Sequence, residues 1–341
     1  MTPRPARTLT DLLADADLAP VGDGTGSASG APVGAGAIGP DQELGRLAAG
    51  LDHVARRGAA VGGWTPTEPL RLAKGTVGWL LRCPRRALAA PDGGTTDDLV
   101  AGLVVDAAAK LASLVPHRAP TVEAALAYLE ATGDTTVADH LADRGGAAAL
   151  PPDVATRIDL LAGAWPAIDP GWWPRVEEPV RAVLAGGAVV LSGRLDLLLG
   201  GPPTPRPAVV VEVKAGRWHD GARADAHLYA LLVALRDGRP PAAVVTVVAD
   251  GTTQVEPVRP AVLASAADRV AHAVETAAPI AAGEPAPAHP GPHCGHCPLR
   301  PACPEGLAWR PDGTNETDRT GDTHGPVHAA GSPAVAGTST G

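Results

Sequence analysis

Residues 208–214 read AVVVEVK. Five of these seven residues are valine or alanine, and the shortness and β-branching of the run predict a buried strand rather than a helix. In a strand, Glu212 and Lys214 lie on one face, with Val211 and Val213 on the other. Burying a carboxylate and an ammonium is costly unless each finds a partner. The strand therefore contains either a structural ion pair or a functional site.

A second strand-like run precedes this one. Residues 192–199, SGRLDLLL, place Asp196 among leucines, sixteen positions before Glu212. Residues 200–207 form a Pro- and Gly-containing connection, which predicts a hairpin that brings Asp196 close to Glu212. Two carboxylates beside Lys214 would suit a hard cation with a positive group at its edge. Only three of the 28 basic residues are lysines, so a lysine in this strand indicates that a compact ammonium is needed there.

Composition bounds the class of protein. The chain has 341 residues with 45% hydrophobic content, enough for one large domain or two small ones. The net charge of −9 argues against a nucleic-acid partner, but six acids lie in residues 1–45 and four in 306–341, so the body can still carry a basic patch. No signal-peptide pattern and no run of about 18 apolar residues occur, so we expect a cytoplasmic protein without a membrane partner.

A family resemblance follows from the two strand-like runs. Asp196 followed by Glu212-Val213-Lys214 resembles the D…(D/E)-x-K core of the PD-(D/E)XK nuclease superfamily. The longer pattern GRLDLLLG…VVVEVKAGR…HLYALL is similar to the branch of RecB-type exonuclease domains and CRISPR-associated adaptation nucleases. The resemblance implies a metal-dependent exonuclease that hydrolyses DNA phosphodiester bonds in repair, recombination or defence. It also implies single-stranded DNA or DNA with free ends as substrate, and a helicase or another repair or defence protein as partner.

The resemblance gives each matching residue a role. Asp196, Glu212 and the carbonyl of Val213 would bind Mg²⁺ or Mn²⁺. Lys214 would orient the attacking water and offset negative charge, and Tyr229 would pack beside the site. The products would carry a 5′-phosphate and a 3′-hydroxyl.

Two positions depart from the family pattern. The family has a metal-binding histidine in a G-x-x-V-H segment, where this chain has Asp106 in the predicted helix 99–114. Aspartate suits Mg²⁺ or Mn²⁺ as a ligand, and the alternative is an ordinary Asp106–Lys110 pair at i, i+4. Asp225, four residues before Tyr229, stands where the family has a substrate-contacting glutamine. As a candidate nucleic-acid contact, it would either join the metal shell or repel a phosphate.

The four cysteines form the second pattern. The last three lie in PHCGHCPLRPACP with the spacing C-x2-C-x5-C, and one lies far upstream before Pro84. Without a secretion signal, a metal centre explains them better than disulfides, and four thiolates match zinc or an iron–sulfur cluster. The arrangement resembles the [4Fe-4S] staple of AddB-type and CRISPR-associated family members, and His293 and His296 keep a zinc site open. The implied cluster ligands are Cys83, Cys294, Cys297 and Cys303.

The expected architecture is an α/β fold, a mixed sheet flanked by helices around a restriction-endonuclease-like core, with an N-terminal helical region and a C-terminal cysteine cluster. Residues 1–45 would be a flexible arm, in which only 9–18 suggest a helix; 46–305 the nuclease domain, with a helical insertion at about 115–185; and 306–341 a disordered tail. The glycines of 34–39 match GxGxxG without the strand and helix that a phosphate loop needs. Helices are expected at 42–57, 68–88, 99–114, three or four within 121–185, 221–236 and 261–277, and further strands at 242–249 and 252–258.

Other side chains are open to two readings. The densest basic cluster, within 68–88, would either face nucleic acid or form a solvated helix face; its members are Arg71, Lys74, Arg82, Arg85 and Arg86. Three tryptophans are expected to pack in the interior rather than to stack on bases. The arginines predicted to contact nucleic acid are Arg82, Arg85 and Arg86. The tryptophans predicted to pack in the interior are Trp165, Trp172 and Trp173.

Two other functions remain open beside the nuclease. Asp106 and Asp225, at the two departures, favour a catalytically impaired nucleic-acid-binding scaffold of the same fold. A third reading is a zinc-stapled structural protein in which Glu212 and Lys214 only pair with each other.

Overall fold

The computed structural model describes residues 9, 13, 40–89, 95–115, 120–142, 144–216, 218 and 220–310. A six-stranded mixed sheet runs through the larger of two units, Met1–Pro287, and the second unit is Ala288–Gly341. Along the sheet the order is β1-β3-β4-β5-β6, and β2 pairs with β3. The strands are β1 (Leu70–Leu72), β2 (Arg175–Leu184), β3 (Val189–Leu199), β4 (Val209–Lys214), β5 (Ala243–Val248) and β6 (Thr253–Pro257).

The predicted hairpin between the two apolar runs is confirmed. β3 and β4 are antiparallel, with Leu197 opposite Val211 and Leu199 opposite Val209. β4 then runs parallel to β5, which places Glu212 beside Thr246. Val209, Val210 and Val211 are completely buried, and the burial of each stabilises the fold by roughly 1.5–3 kcal/mol. The central strands are therefore fixed by their valine and leucine content.

Helices cover both faces of the sheet, as predicted. Leu51, Leu80, Leu231 and Val270 pack with Val210 in a first core on one face. A second core on the other face contains Val104, Leu129, Leu141, Ile158 and Val211. The described helices are α1 (Pro40–Gly62), α2 (Lys74–Arg82), α3 (Pro84–Ala87), α4 (Asp97–Leu114), α5 (Val122–Ala131), α6 (Thr136–Ala142), α7 (Val154–Ala164), α8 (Asp220–Asp237), α9 (Pro260–Ala281) and α10 (Pro304–Ala308).

β1 and β4 lie along the same edge of β3. β2 pairs with β3 over most of its length, so the other two partners must use the opposite edge. β1 pairs with residues 189–191 of β3, and β4 pairs with 197–199. Within the described part of the chain, residues 192–196 have no strand partner on that edge. This opening, called the β3 gap below, lies between the end of β1 and the middle of β4.

The prediction of helices throughout 121–185 is wrong for residues 175–184, which form β2. The segment RVEEPVRAVL combines helix-favouring residues with Pro179, which hides its strand period. From residue 179 onward, exposed and buried positions alternate, with Val180, Ala182 and Leu184 buried. β2 thus lines the outer side of β3, with one face toward the first core.

The single helix predicted for 68–88 is also wrong. Residues 70–72 form β1, and two helices follow, broken at Cys83 with φ −157° and ψ 95°. Pro84 disfavours helical geometry at the residue before it, which explains the break. Arg71 therefore lies on a strand, and Lys74 is the first residue of α2.

Two of the three tryptophans occupy the interior, as predicted. Trp165 and Trp172 belong to the second core. Trp173 is exposed instead, with φ 47°, and the Arg175 guanidinium stacks on its ring at 4.2 Å.

Several predictions concern residues outside the described ranges. The GxGxxG match at 34–39 and the tail beyond 310 lie outside, as does most of the arm. Leu9 is described and is buried in the second core, and α1 already begins at Pro40, inside the segment assigned to the arm. The second unit contains short 3₁₀ helices at Pro292–His296 and Arg300–Ala302 and then α10. Among the described helices, none is long and apolar enough to span a membrane.

Candidate active site

Asp196 is the last residue of the β3 gap, at the point where the side chains of β3 stop alternating regularly between the two faces of the sheet. Leu195 is buried in the first core and Leu197 in the second, so the regular alternation is interrupted at Asp196. The backbone N–H of Val213 donates to Asp196 Oδ2 at 2.7 Å. The carboxylate thus satisfies an amide of β4 just beyond the last pair of the hairpin. Continuing the register from Leu197–Val211 places Asp196 opposite Glu212.

The pKa of Asp196 is raised to about 8. Burial is the largest cause, followed by the negative charges of Glu212 and Asp106, while the Val213 hydrogen bond opposes the shift. Carboxylates act on one another in this way only when they share a poorly solvated region. Asp196, Glu212 and Asp106 therefore form one electrostatic group.

Glu212 is completely buried, and two lysines neutralise it. Lys74 Nζ donates to Glu212 Oε1 at 2.5 Å, and Lys214 Nζ donates to the same oxygen at 2.6 Å. The pair between Glu212 and Lys214 is the one expected from their shared strand face. The other oxygen, Glu212 Oε2, is buried without a hydrogen-bond partner. A buried carboxylate held in this way depends on its cations, because removing them would strand a desolvated charge.

Lys74 is the residue that the sequence did not reveal. Sequence reasoning placed it in a basic cluster, whereas its ammonium lies in the site and 5.0 Å from the centre of the Tyr229 ring. The signal was the scarcity of lysine: the chain has three, and Lys74, Lys110 and Lys214 all pair with carboxylates of the site or its border.

Tyr229 is buried on α8 beside these ammoniums. Burial raises its pKa to about 12, and the charge of Glu212 acts in the same direction against that of Lys74. The ring packs directly on Gly193, where a Cβ atom would lie 2.4 Å from Tyr229 Cε1. Gly193 is therefore required by the close approach of the ring, and it lies in the β3 gap.

Asp106 on α4 makes the i, i+4 ion pair with Lys110 that was the alternative to a metal-ligand role. Its second oxygen, Oδ1, is buried without a hydrogen-bond partner. Burial raises the pKa of Asp106, Lys110 lowers it, and Glu177 and Glu212 raise it further. The oxygen that pairs with Lys110 thus supports the ion-pair reading of Asp106, and the unpaired Oδ1 supports the metal-ligand reading.

Glu177 extends the carboxylate group across β2. Its φ of 54° is left-handed, which is rare for a strand residue other than glycine. The register of β2 and β3 places it opposite Asp196, and its carboxylate pairs with Lys110 and with Arg194 Nη1 at 2.9 Å. Sequence reasoning missed this residue, since the strand that carries it was assigned as helix.

Asp225 shares the Tyr229 face of α8, as predicted. Its Oδ2 lies 4.0 Å from Lys214 Nζ. Burial is the main cause that raises its pKa, and Lys214 and Lys74 oppose the shift. The structure thus brings Asp225 and Tyr229 to the same lysines that neutralise Glu212.

The three arginine candidates have other contacts. Arg85 donates from Nε to the Ala286 carbonyl at 3.3 Å, and its backbone N–H donates to Pro287 O at 3.0 Å. The guanidiniums of Arg82 and Arg86 lie 5.3 and 5.0 Å from the Trp79 ring centre. Arg85 therefore ties α3 to the segment after α9, and a role in nucleic-acid binding stays a prediction for all three.

The four cysteines are free thiols. In the first unit, Cys83 is buried at the break between α2 and α3. In the second unit, backbone N–H groups of Gly291 and Gly306 donate to the sulfurs of Cys294 and Cys303, each at 3.4 Å. Such N–H···S bonds stabilise a thiolate. Cys297 lies between these two and is half-buried.

The site's fitness for a metal depends on its unpaired oxygens. As the side chains lie, no three Asp, Glu, His or Cys residues of the described ranges are grouped closely enough to hold a metal ion. Two buried carboxylate oxygens of those ranges, Glu212 Oε2 and Asp106 Oδ1, nevertheless have no hydrogen-bond partner. Oxygen donors of this kind are those that Mg²⁺ and Mn²⁺ prefer. The donor set thus fits a hard divalent cation.

Comparison with known proteins decides the family. A model of the PD-(D/E)XK nuclease superfamily matches residues 76–304, more than half of the chain. The chain belongs to the PD-(D/E)XK nuclease superfamily. Membership points to nuclease activity on a nucleic acid, and nucleases of this superfamily commonly use Mg²⁺ or Mn²⁺. The match includes Asp106, Asp196, Glu212 and Lys214 and begins two residues after Lys74.

Other comparisons add little to the superfamily assignment. No curated protein shows significant similarity to the chain. Among solved structures, a crystal structure of the protein SSO0001 is 14% identical, with 69% of this chain and 85% of that chain covered. Its TM-score of 0.32 is too low to support an argument. The fold and the site therefore depend on the geometry described above and on the superfamily match.

Proposed function

We propose that the protein is a Mg²⁺- or Mn²⁺-dependent deoxyribonuclease of the RecB-type and CRISPR-associated branch. It would act as an exonuclease on single-stranded DNA or on DNA with free ends, in repair, recombination or defence, together with a helicase or another protein of these pathways. The observation that carries the proposal is the convergence of Asp196, Glu212 and Lys214 at the β3 gap.

The metal ligands in this proposal are carboxylates of three elements. Asp196 comes from β3, Glu212 from β4 and Asp106 from α4, with the Val213 carbonyl as a further ligand. When bound, the divalent cation lowers the pKa of a ligated water and stabilises negative charge that develops on the phosphate. The unpaired oxygens of Glu212 and Asp106 support this assignment.

Lys214 would act on the reacting groups, and Tyr229 would pack beside the site. The Lys214 ammonium lies at the edge of the carboxylate group, where it can orient the attacking water and offset charge on the scissile phosphate. The Tyr229 ring packs on Gly193 and lies under the Lys74 ammonium, which it keeps in a partly water-excluded position. Asp225, at 4.0 Å from Lys214 Nζ, would limit how far this lysine can swing.

A cleavage assay tests the proposal. The full chain should degrade DNA with Mg²⁺ or Mn²⁺ and not with EDTA, and Lys214→Ala should abolish cleavage while the protein stays folded. Arg181→Ala, an exposed residue of β2, is the matched control and should cleave at the wild-type rate. Full activity of Lys214→Ala would overturn the role given to this lysine.

We further propose that Cys83, Cys294, Cys297 and Cys303 hold a [4Fe-4S] cluster, with zinc as the competing metal. The four free thiols and the two N–H···S bonds support a thiolate centre. Anaerobically purified protein should absorb at the edge of the visible range and contain iron and acid-labile sulfide. Stoichiometric zinc without iron would contradict the cluster.

A second function has an observation of its own. Each of the three lysines already neutralises a site or border carboxylate, and Asp106 and Asp225 depart from the family pattern. These features favour a nucleic-acid-binding scaffold that has lost catalysis. Fluorescence anisotropy with labelled DNA, measured beside cleavage in Mn²⁺, separates the two: tight binding without cleavage would favour the scaffold.

A further inference from the structure

Lys74 occupies a position that its own helix does not favour. It is the first residue of α2, where the helix dipole repels a positive charge. The preceding Ala73 makes no side-chain cap, and the first turn contains no acidic residue. Arginine is the usual basic residue of this chain, so a lysine here is doubly unexpected. Helix formation therefore does not account for Lys74, and a tertiary contact must.

That contact is the buried end of Glu212. Lys74 Nζ donates to Glu212 Oε1 at 2.5 Å and also lies over the Tyr229 ring, 5.0 Å from its centre. Burial alone would lower the pKa of Lys74, but the charge of Glu212 raises it above the ordinary value. The lysine is therefore a cation, held between a carboxylate and an aromatic face.

Lys74 and Lys214 are not equivalent partners of Glu212. Lys214 shares β4 with Glu212, and its side chain is 20% exposed. Lys74 comes from a separate element that follows β1, and its side chain is 32% exposed. Of the two lysine side chains, that of Lys74 is thus the more exposed. The family match begins at residue 76, so Lys74 lies outside the matched range.

We propose that Lys74 is a positioning residue that holds Glu212 in the metal-free protein and releases Glu212 Oε1 when a divalent cation binds. This inference rests on the proposed function, because it assumes that Glu212 is a metal ligand. Two ammoniums on Glu212 Oε1 and a divalent cation on the unpaired Oε2 of the same buried carboxylate would repel one another strongly. We expect the lysine with the more exposed side chain, Lys74, to leave at the lower cost in free energy. Lys74 and the cation therefore compete for Glu212.

The test is the Mn²⁺ affinity of the full chain, measured without DNA by calorimetry or by electron paramagnetic resonance. Lys74→Met and Lys74→Gln remove the competing charge and should bind Mn²⁺ about tenfold more tightly than wild type. Lys74→Arg keeps the charge and should bind within about threefold of wild type. A lysine with a structural role alone would leave affinity unchanged or lower it when removed, which is the opposite direction.

A control variant separates local competition from a change in net charge. Arg71→Met removes a positive charge at the exposed residue of β1, three positions before Lys74, and should bind Mn²⁺ within about twofold of wild type. Circular dichroism verifies folding of each variant, and the Gln variant decides if the Met variant does not fold. Unchanged or weaker Mn²⁺ binding by the folded neutral variants would overturn the inference.

Cleavage assays distinguish this failure from failure of the proposed function. If wild type cleaves DNA with Mn²⁺ and the neutral variants bind Mn²⁺ no more tightly, the inference on Lys74 alone is wrong. If wild type does not cleave DNA, the proposed nuclease is wrong. In that case a gain of Mn²⁺ binding in the neutral variants still supports competition by Lys74, and no gain overturns it.

Discussion

Replacing Gly193 by alanine should displace the Tyr229 ring and so disturb the candidate active site. The added Cβ would lie 2.4 Å from Tyr229 Cε1 and 3.2 Å from Cδ1, distances at which the buried ring must move. Overpacking of this kind costs about 1–3 kcal/mol. Because Tyr229 also packs against Lys74, we expect Gly193→Ala to reduce both stability and cleavage.

Urea denaturation of a double-mutant cycle measures this effect. Tyr229→Leu removes the ring atoms that the new methyl group would meet, so Gly193→Ala should cost less than about 0.5 kcal/mol in that background. Gly78→Ala, in α2 with no atom within 4 Å of the added Cβ, is the control and should stabilise by about 0.5–1 kcal/mol. An equal cost of Gly193→Ala with and without the tyrosine ring would refute the close-packing argument.

Three further predictions follow from other parts of the molecule. Asp196→Asn removes a buried carboxylate but keeps an oxygen for the Val213 N–H, so it should stabilise the metal-free protein by roughly 1 kcal/mol and abolish cleavage. Thermal melts measure the stability and a nuclease assay measures the cleavage. A loss of stability would contradict the prediction. Hydrogen bonds from Arg223 and His227 lower the pKa of Glu256 to about 2, whereas the pKa of this carboxyl in the unfolded chain is about 4.5. The Glu256 carboxylate therefore stabilises the fold above about pH 4.5 and loses that contribution as the pH falls toward 2. After allowance for solvent screening the contribution is about 1 kcal/mol, and denaturation of wild type and Glu256→Gln between pH 5 and 2.5 should show a difference that shrinks with acid. In β2, Val180→Ala should cost about 2 kcal/mol and the exposed Val183→Ala less than about 0.5 kcal/mol, whereas similar costs would argue against the strand.

The sequence predicted those elements whose pattern agrees with their environment. AVVVEVK forms β4 because its valines fill both cores, and the alternation that separates Val210 from Val211 also places Glu212 beside Lys214. Helices with a continuous apolar stripe were predicted within a few residues of their observed bounds, as at α4, α8 and α9. In these segments, local propensity and tertiary packing favour the same structure.

The parts that escaped prediction depend on contacts between distant residues. The partner of Lys74 is 138 positions away, and no local pattern marks a lysine at a helix start as a site residue. Glu177 was missed because β2 combines helix-favouring residues with a proline, and its left-handed φ has no signature in the sequence. The β3 gap itself arises from where β1 and β4 stop pairing, which only the assembled sheet determines.

Anomalous diffraction from crystals soaked in Mn²⁺ tests the shared-cation site most directly. The proposed metal site predicts an anomalous peak within bonding distance of the carboxylate oxygens of Asp196 and Glu212, with Lys214 nearby. Lys74 should have left Glu212 Oε1 in the same crystal. A protein that cleaves DNA with Mn²⁺ but places the metal away from both carboxylates would contradict the account.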